Sequence, residues 1–360
     1  MKLLTEIYAI DIGTSAIKLV ELKKGKSADE YSIAHAEISE LPYDLVGGDC
    51  TTPYISDLNK FKDILRNLVK KAGNPDKEVI MALPDRWVKL YLLDIVIPEN
   101  EVGNDNFLKW KIEKQVPLAE DFEIMLDYVV LNADMNLDDD VELHVCAAAV
   151  KKEIIEILAG ITADMKLEVL NFNTSSLGLF NIYEEIYKES PEGSNVINLH
   201  IGHETTVVKA YEQGSLAYER VIEVAGEEFS KIISEADECD VETATKTKHN
   251  ELFFPVTRSD VVELNKKRAR IEKIFDNWLR ELNVTFSFFK RKFHIASLPP
   301  IFITGGGAMF KGIDVFLSEF LETKCSVFNP FIEIKEFKDV NDILKTQGAI
   351  YAACLGQLCM

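Results

Sequence analysis

The 360-residue chain is short of positive charge: 40 Lys and Arg stand against 60 Asp and Glu, a formal charge of −20. So acidic a surface repels phosphate backbones and anionic lipid headgroups, which argues against nucleic acid and against direct membrane adhesion. Cysteine is sparse and scattered. Cys50, Cys146, Cys239, Cys325, Cys354 and Cys359 contain no Cys-x-x-Cys pair, and no Cys/His cluster has zinc-ligand spacing. They read as reduced thiols in a reducing compartment. No run approaches the ~18 uninterrupted apolar residues of a membrane span, and Glu6 interrupts the N-terminus before the apolar stretch of a signal peptide can develop. With only 18 Gly and 11 Pro, and 47% hydrophobic residues, the chain has no compositional mark of disorder and enough material for a packed core. Its length predicts two domains or one bilobed fold.

What is present is an internal repeat. Asp11-Ile12-Gly13 and His200-Ile201-Gly202 each follow an apolar strand, at 7–10 and 196–199, and each leads through a turn into a second strand, at 17–22 and 206–211. The units stand 189 residues apart (200 − 11), and the same offset separates Gly25 from Gly214. A third strand follows each hairpin, at 32–38 and 216–224, and each meander feeds a helix, at 55–71 and 227–236. The pattern predicts a duplicated α/β domain.

Between the halves, 85–161 has its own short elements: strands at 88–97 and 124–131 around a helix at 107–116 closed by Pro117. It reads as an inserted subdomain. The acidic stretch 134–140 lacks the glycine and terminal glutamate of a calcium loop and reads as a solvated turn. Ile271, Ile274, Phe275, Trp278, Leu279, Leu282 and Phe286 recur at helical spacing and predict a long core-facing helix over 267–293. The basic run 265–270 reads as the solvated start of that helix. After it, strand residues 300–304 run into Gly305-Gly306-Gly307 and a helix at about 310–322. A strand, a glycine turn and a helix let a backbone approach a phosphate or a base, with amide donors at a positively polarised helix end.

In order and spacing these motifs resemble the actin-like ATPase superfamily. Ile10-Asp11-Ile12-Gly13-Thr14-Ser15 looks like its first phosphate loop, His200-Ile201-Gly202-His203-Glu204-Thr205-Thr206 like its second, and Thr304-Gly305-Gly306-Gly307-Ala308 like its adenosine loop. Within it the chain resembles the PilM family of type IV pilus assembly proteins, related to FtsA. The finer matches are the stretch from Asp11 to Leu22, Lys114-Gln-Val-Pro117 followed by Asp127-Tyr-Val-Val-Leu131, and Arg220-Val-Ile-Glu-Val-Ala-Gly226. Gly305 to Gly312 and Gln347 to Gly356 complete them. The resemblance implies an α/β, duplicated actin-like (ribonuclease H-like) bilobed fold carrying an FtsA/PilM-type 1C insertion. Its parts would be subdomain 1A at 1–84 and 162–193, the insertion at 85–161, a second lobe at 194–340, and a C-terminal helix, 341–360, returning to the first lobe.

It also implies ATP and magnesium between the lobes. Carried over residue by residue, Asp11, Gly13, Thr14, Ser15 and Lys18 would form the first phosphate site, with Asp11 toward the metal. Gly202, Thr205 and Thr206 would form the second, Lys248 would lie nearby, and Gly305, Gly306 and Gly307 would form the adenosine shelf. The sequence departs from the family at His200, where a carboxylate is usual, and at Thr245, where relatives tend to carry an acidic residue. A neutral imidazole is a poor ligand for hydrated magnesium, so the departure predicts weakened metal binding and hydrolysis.

The implied partner is the N-terminal cytoplasmic peptide of a PilN-type inner-membrane protein, docked between 1A and 1C, with Phe107 and Trp110 as candidate anchors. The chain would then be a cytoplasmic scaffold, peripheral at the inner membrane through its partners and linked to the pilus motor, with self-association open. Alternatives are a GspL-like component of type II secretion, which normally continues into a transmembrane helix, and an active actin-like ATPase. A sugar kinase lacks its catalytic loop here. An FtsA-like tethered filament former would carry a basic amphipathic C-terminal helix, which the end of this sequence does not resemble.

Overall fold

A computed structural model describes residues 3–27, 30–73, 76–116, 123–135, 140–187, 195–212, 215–251 and 262–359. The segment 249–262, the acidic stretch 134–140 and the basic run 265–270 fall wholly or mostly outside the residues whose side chains are described, as does the side chain of Ile271.

The first strand, β1 (Tyr8–Ile12), is buried at every position, the signature of a central strand covered on both faces. It turns into β2 (Ala16–Lys24) and then β3 (Tyr31–Glu40), both antiparallel. Two short strands, β4 (Val46–Gly47) and β5 (Tyr54–Ile55), pair before α1 (Leu58–Lys71). The helix therefore starts later than the expected residue 55, because Tyr54 and Ile55 take sheet partners and Asp57 caps the helix by accepting from the Lys60 amide. Next, β6 (Glu78–Leu83) lies parallel to β1.

The inserted elements follow a 3₁₀ turn at Asp85–Trp87. They are β7 (Val88–Pro98), α2 (Asp105–Gln115), β8 (Ile124–Met135) and β9 (Asp140–Lys151). The strands form an antiparallel sheet in the order β7-β9-β8. One face packs Ile95, Ile97, Val141, Leu143 and Val145 against Leu108 and Ile112 of α2. Then come α3 (Lys152–Asp164), β10 (Glu168–Thr174) and α4 (Ser175–Tyr187). Ile154, Ile155, Leu158 and Ile161 of α3 pack into the core of the first lobe with Ile10, Phe61 and Leu65. By packing, the insertion's own core thus ends with β9, ten residues before position 161 (161 − 151).

The second half repeats the plan. Here β11 (Asn195–Ile201), β12 (Thr206–Glu212) and β13 (Ser215–Ile222) form the meander, followed by α5 (Gly226–Asp237), α6 (Val241–Glu251) and α7 (Val262–Lys292). The parallel strands β14 (Ile301–Thr304) and β15 (Cys325–Val327) flank α8 (Ile313–Leu321). The sheet orders β10-β6-β1-β2-β3 and β13-β12-β11-β14-β15 are the same plan twice, with the two later meander strands on one side of the first strand and two parallel strands on the other. The duplicated bilobed fold expected from the repeat is present. On the second sheet α7 buries Ile274, Phe275, Trp278, Leu279, Leu282 and Phe286, the stripe that predicted it.

The chain ends through α9 (Pro330–Glu333), α10 (Asp342–Gln347) and α11 (Ala352–Gly356). A Cβ at Gly356 would lie 1.8 Å from the Gly178 carbonyl oxygen, so α11 and α4 touch backbone to backbone. One apolar cluster joins Ala9 of the first sheet, Leu179 and Tyr183 of α4, Leu355 of α11, and Val196 and Tyr211 of the second sheet. The two lobes are held together by this pair of helices.

Candidate functional site

The ends of β1, β6, β11 and β14 meet where the lobes face each other. Asp11, one residue before the end of β1, is buried beside its register partner Lys18, whose Nζ donates to Oδ2 at 2.8 Å. Its Oδ1 accepts from the Ser175 hydroxyl at the start of α4, at 2.5 Å. Burial opposes the charge, but Lys18, the two hydrogen bonds and the field of His200 together hold the Asp11 carboxyl below its ordinary value. Both carboxylate oxygens are thus engaged within the protein.

Across the cleft stands His200, paired in register with Thr304 of β14. Its Nδ1 lies 3.0 Å from the Thr304 hydroxyl, which also accepts from Asn198 Nδ2 at 3.1 Å. Burial pushes the imidazole down to about 4, against the attraction of Asp11, so it is neutral at pH 7.

The two hairpin turns are alike. Gly13 N donates to Ala16 O at 3.0 Å and Gly202 N to Thr205 O at 2.9 Å. Thr14 is half-buried and Ser15 exposed at the tip of the first turn, and Thr205 is half-buried in the second. The start of α5 is tied to the second turn, because Gly226 N donates to Gly202 O and Glu227 N to His203 O. Lys248 reaches the same place, donating from Nζ to Gly226 O at 2.5 Å and to the Ser230 hydroxyl at 2.8 Å. Burial lowers it to about 8. Thr245 donates to Val241 O and lies 3.0 Å from the Ser230 hydroxyl.

Thr206 does not join the set. It is fully buried, donates from Oγ1 to Val224 O at 2.8 Å, and accepts from Trp278 Nε1 at 2.9 Å. The alternation of β12 explains this, since Thr206, Val208 and Ala210 face α7 while Lys209 and Tyr211 face the other lobe. Its place in the predicted second phosphate site is corrected to a core role.

The three glycines after β14 differ in what they do. Gly305 has φ +84°, and a Cβ there would come within 2.5 Å of the Ile201 carbonyl oxygen. At Gly307 a Cβ would meet Ile201 Cγ2 at 2.3 Å, whereas at Gly306 nothing lies within 4 Å. Packing against β11 accounts for the first and third, and the middle one faces open space.

Several residues at the cleft were not singled out from the sequence. Arg86 Nη1 of the 3₁₀ turn lies 2.9 Å from Glu204 Oε2 in the second hairpin turn, with Nη2 3.7 Å from Glu223. Asp85 Oδ1 accepts from the Ser176 amide at 2.9 Å, and burial raises this carboxyl to about 6. Lys209, fully buried, places Nζ 2.7 Å from Glu219 Oε2. Only Ser175 and Ser176 had a usable signal, a hydroxyl run before an apolar helix.

On the insertion, Leu108 and Ile112 of α2 face its core, while Trp110 is 50% exposed and lies tilted against half-buried Phe107, ring centroids 5.9 Å apart. Among the described residues no helix is long and apolar enough to cross a membrane, and no group of three or more His, Cys, Asp or Glu is placed to hold a metal ion.

Compared with known families, the sequence matches that of the type IV pilus assembly protein PilM over residues 9–359. The chain belongs to the PilM family. Among solved structures it is similar to a PilM–PilN type IV pilus biogenesis complex, with a TM-score of 0.79 and 19% identity over 98% of each chain. It is also similar to the ethanolamine utilization protein EutJ from Carboxydothermus hydrogenoformans, with a TM-score of 0.55 and 13% identity over 99% of this chain and 91% of that one. MreB5 of Spiroplasma citri bound to AMPPNP gives 0.51 and 13% over 98% and 95%. At such identities these likenesses speak for the fold. This PilM family member has the bilobed actin-like architecture, and the cleft just described lies between its lobes.

Proposed function

We propose that the chain is a pilus assembly scaffold that binds the N-terminal peptide of a PilN-type inner-membrane protein and holds a nucleotide between its lobes with little help from magnesium. The observation that carries the nucleotide half is the convergence of two matching glycine hairpins and a third glycine turn on one cleft, with Gly306 facing open space. Lys18, Gly13, Thr14 and Ser15 would hold phosphate on one side. Gly202 and Thr205 would do so on the other, with Gly305 to Gly307 against the adenosine and Lys248 bracing the second turn through Gly226. A bound nucleotide would supply a polyanion that these groups position and neutralise.

The donor set does not fit hydrated magnesium. Asp11 is already paired with Lys18 and Ser175, and His200 opposite it is an uncharged nitrogen donor. Hydrolysis that needs an ordered metal is therefore disfavoured. Calorimetric titration of ATP with and without magnesium tests this, with similar affinities in both expected. Affinity that appears only with magnesium would overturn it.

The peptide half draws on the family and on the likeness to a PilM–PilN complex. It is supported by Trp110, whose exposure on a helix with its own core leaves a large aromatic face for a partner. A synthetic N-terminal peptide of a PilN-type protein should bind the wild type and bind Trp110→Ala at least about tenfold more weakly, the size expected of an aromatic anchor. No binding to either would sink this half.

A further inference from the structure

Two side-chain bridges cross the mouth of the cleft, and each joins one lobe to the other. Arg86 sits in the 3₁₀ turn that roots the insertion, and its chain neighbours are both fixed. Asp85 accepts from the Ser176 amide, and Trp87 is fully buried with Nε1 donating to Gly47 O at 2.8 Å. The guanidinium is thus carried on a braced turn rather than on a loose loop. It grips Glu204, which belongs to the second hairpin turn.

A second bridge joins the same two lobes. The Tyr43 hydroxyl, just beyond β3, donates to Glu227 Oε1 at 3.0 Å, and Lys231 holds the same oxygen from 2.8 Å. Glu204 and Glu227 are not independent targets, because the backbone bonds from Gly226 N and Glu227 N to Gly202 O and His203 O lock the hairpin turn to the start of α5. Both first-lobe arms therefore hold one second-lobe body, the one that carries Gly202 and Thr205.

We propose that Arg86 and Tyr43 are positioning residues that clasp the second hairpin turn to the first lobe and so set the spacing of the two phosphate turns. The clasp is built from this chain's own side chains, and its consequence for retention of a nucleotide rests on the reading given above.

Hydrogen–deuterium exchange of the ligand-free protein tests the clasp directly, using wild type, Arg86→Gln, Arg86→Lys and Tyr43→Phe. Segments containing Gly202 to Thr205 and Gly226 to Glu227 should exchange about fivefold faster in R86Q, the ceiling for a partly exposed pair, with β1 and β6 unchanged. R86K should recover most of the protection, Y43F should show a smaller effect, and high salt should move the wild type toward R86Q while moving R86Q, which keeps the Lys231–Glu227 pair, much less. Equal exchange in wild type and R86Q, no recovery in R86K, or acceleration spread over β1 and β6 would each overturn the clasp. Release of AMPPNP, followed separately, should be about fivefold faster from R86Q. If AMPPNP does not bind the wild type, the nucleotide reading fails, and the ligand-free exchange still decides the clasp.

Discussion

Replacing Asp85 with Asn should expose a pH dependence that His200 carries and Asp85 masks. In the folded protein burial takes His200 down from its ordinary 6.5 to about 4 and takes Asp85 up from 3.8 to about 6. For His200 the folded value is the lower, so its contribution to stability is intact above pH 6.5 and is lost as the pH falls toward 4. For Asp85 the folded value is the higher, so its contribution is full below pH 3.8 and is lost as the pH rises through 6. At pH 5 the unfolded chain carries a proton on His200 and none on Asp85, and the folded chain carries the reverse. The counts match, so together the two residues give no slope. In D85N the unfolded state binds one proton more, and stability relative to wild type should rise with pH by about 1.4 kcal/mol per pH unit between roughly 4 and 6, about 3 kcal/mol in all. His200→Asn should give the opposite slope over the same window. Urea unfolding at half-unit intervals from pH 4 to 7 measures both, and taking each variant against wild type cancels the other titrating groups. A D85N difference that stays flat across that range would refute the assignment of opposed burial effects at the lobe interface.

Thr206→Val should cost about 1–3 kcal/mol in urea unfolding, because it strands the buried Trp278 indole N–H and removes a partner of the half-buried Val224 carbonyl, whereas Thr206→Ser keeps both bonds and should cost much less. Gly307→Ala should lose about 1–3 kcal/mol of stability by overpacking Ile201, while Gly306→Ala should stay within about 0.5 kcal/mol of wild type and weaken nucleotide binding in the ATP titration. Trp110→Ala should likewise leave the unfolding free energy within about 0.5 kcal/mol while reducing peptide affinity, which separates a contact role from a packing one.

The strands and hairpins were legible because their signals are local. A buried run such as Tyr8 to Ile12 and a glycine at each turn state the geometry within five or six residues, and the same plan occurs twice. The start of α1 was misread because Ile55 fits a helical period equally well, and only its pairing with Val46 shows that it belongs to a strand. Thr206 was misread for a related reason. A motif gives the order of residues, but the face a strand residue occupies depends on which side the core lies, and α7, which supplies Trp278, is 72 residues away. Arg86 and Asp85 carried no local signal at all, since their partners lie 118 and 91 residues further along the chain. The cleft's glycines could be read from sequence, and the ion pairs that span it could not.

Those ion pairs bear on how so acidic a protein could accept an anionic nucleotide. Each cation around the cleft is already matched: Lys18 with Asp11, Arg86 with Glu204, Lys209 with Glu219, and Lys248 with the Gly226 carbonyl. A phosphate entering such a site does not find bare positive charge. It must share cations whose own carboxylates stay in place, and with an acid at position 200 a metal ion would be the ordinary means of offsetting that excess. With His200 the excess is smaller by one charge, because the neutral imidazole adds nothing for the phosphate to oppose. The same substitution that spoils a magnesium site therefore lowers the need for one. On the proposed nucleotide reading, backbone amides and Lys18 would then hold the phosphates in a cleft whose spacing is set from outside by the Arg86 and Tyr43 clasp proposed above.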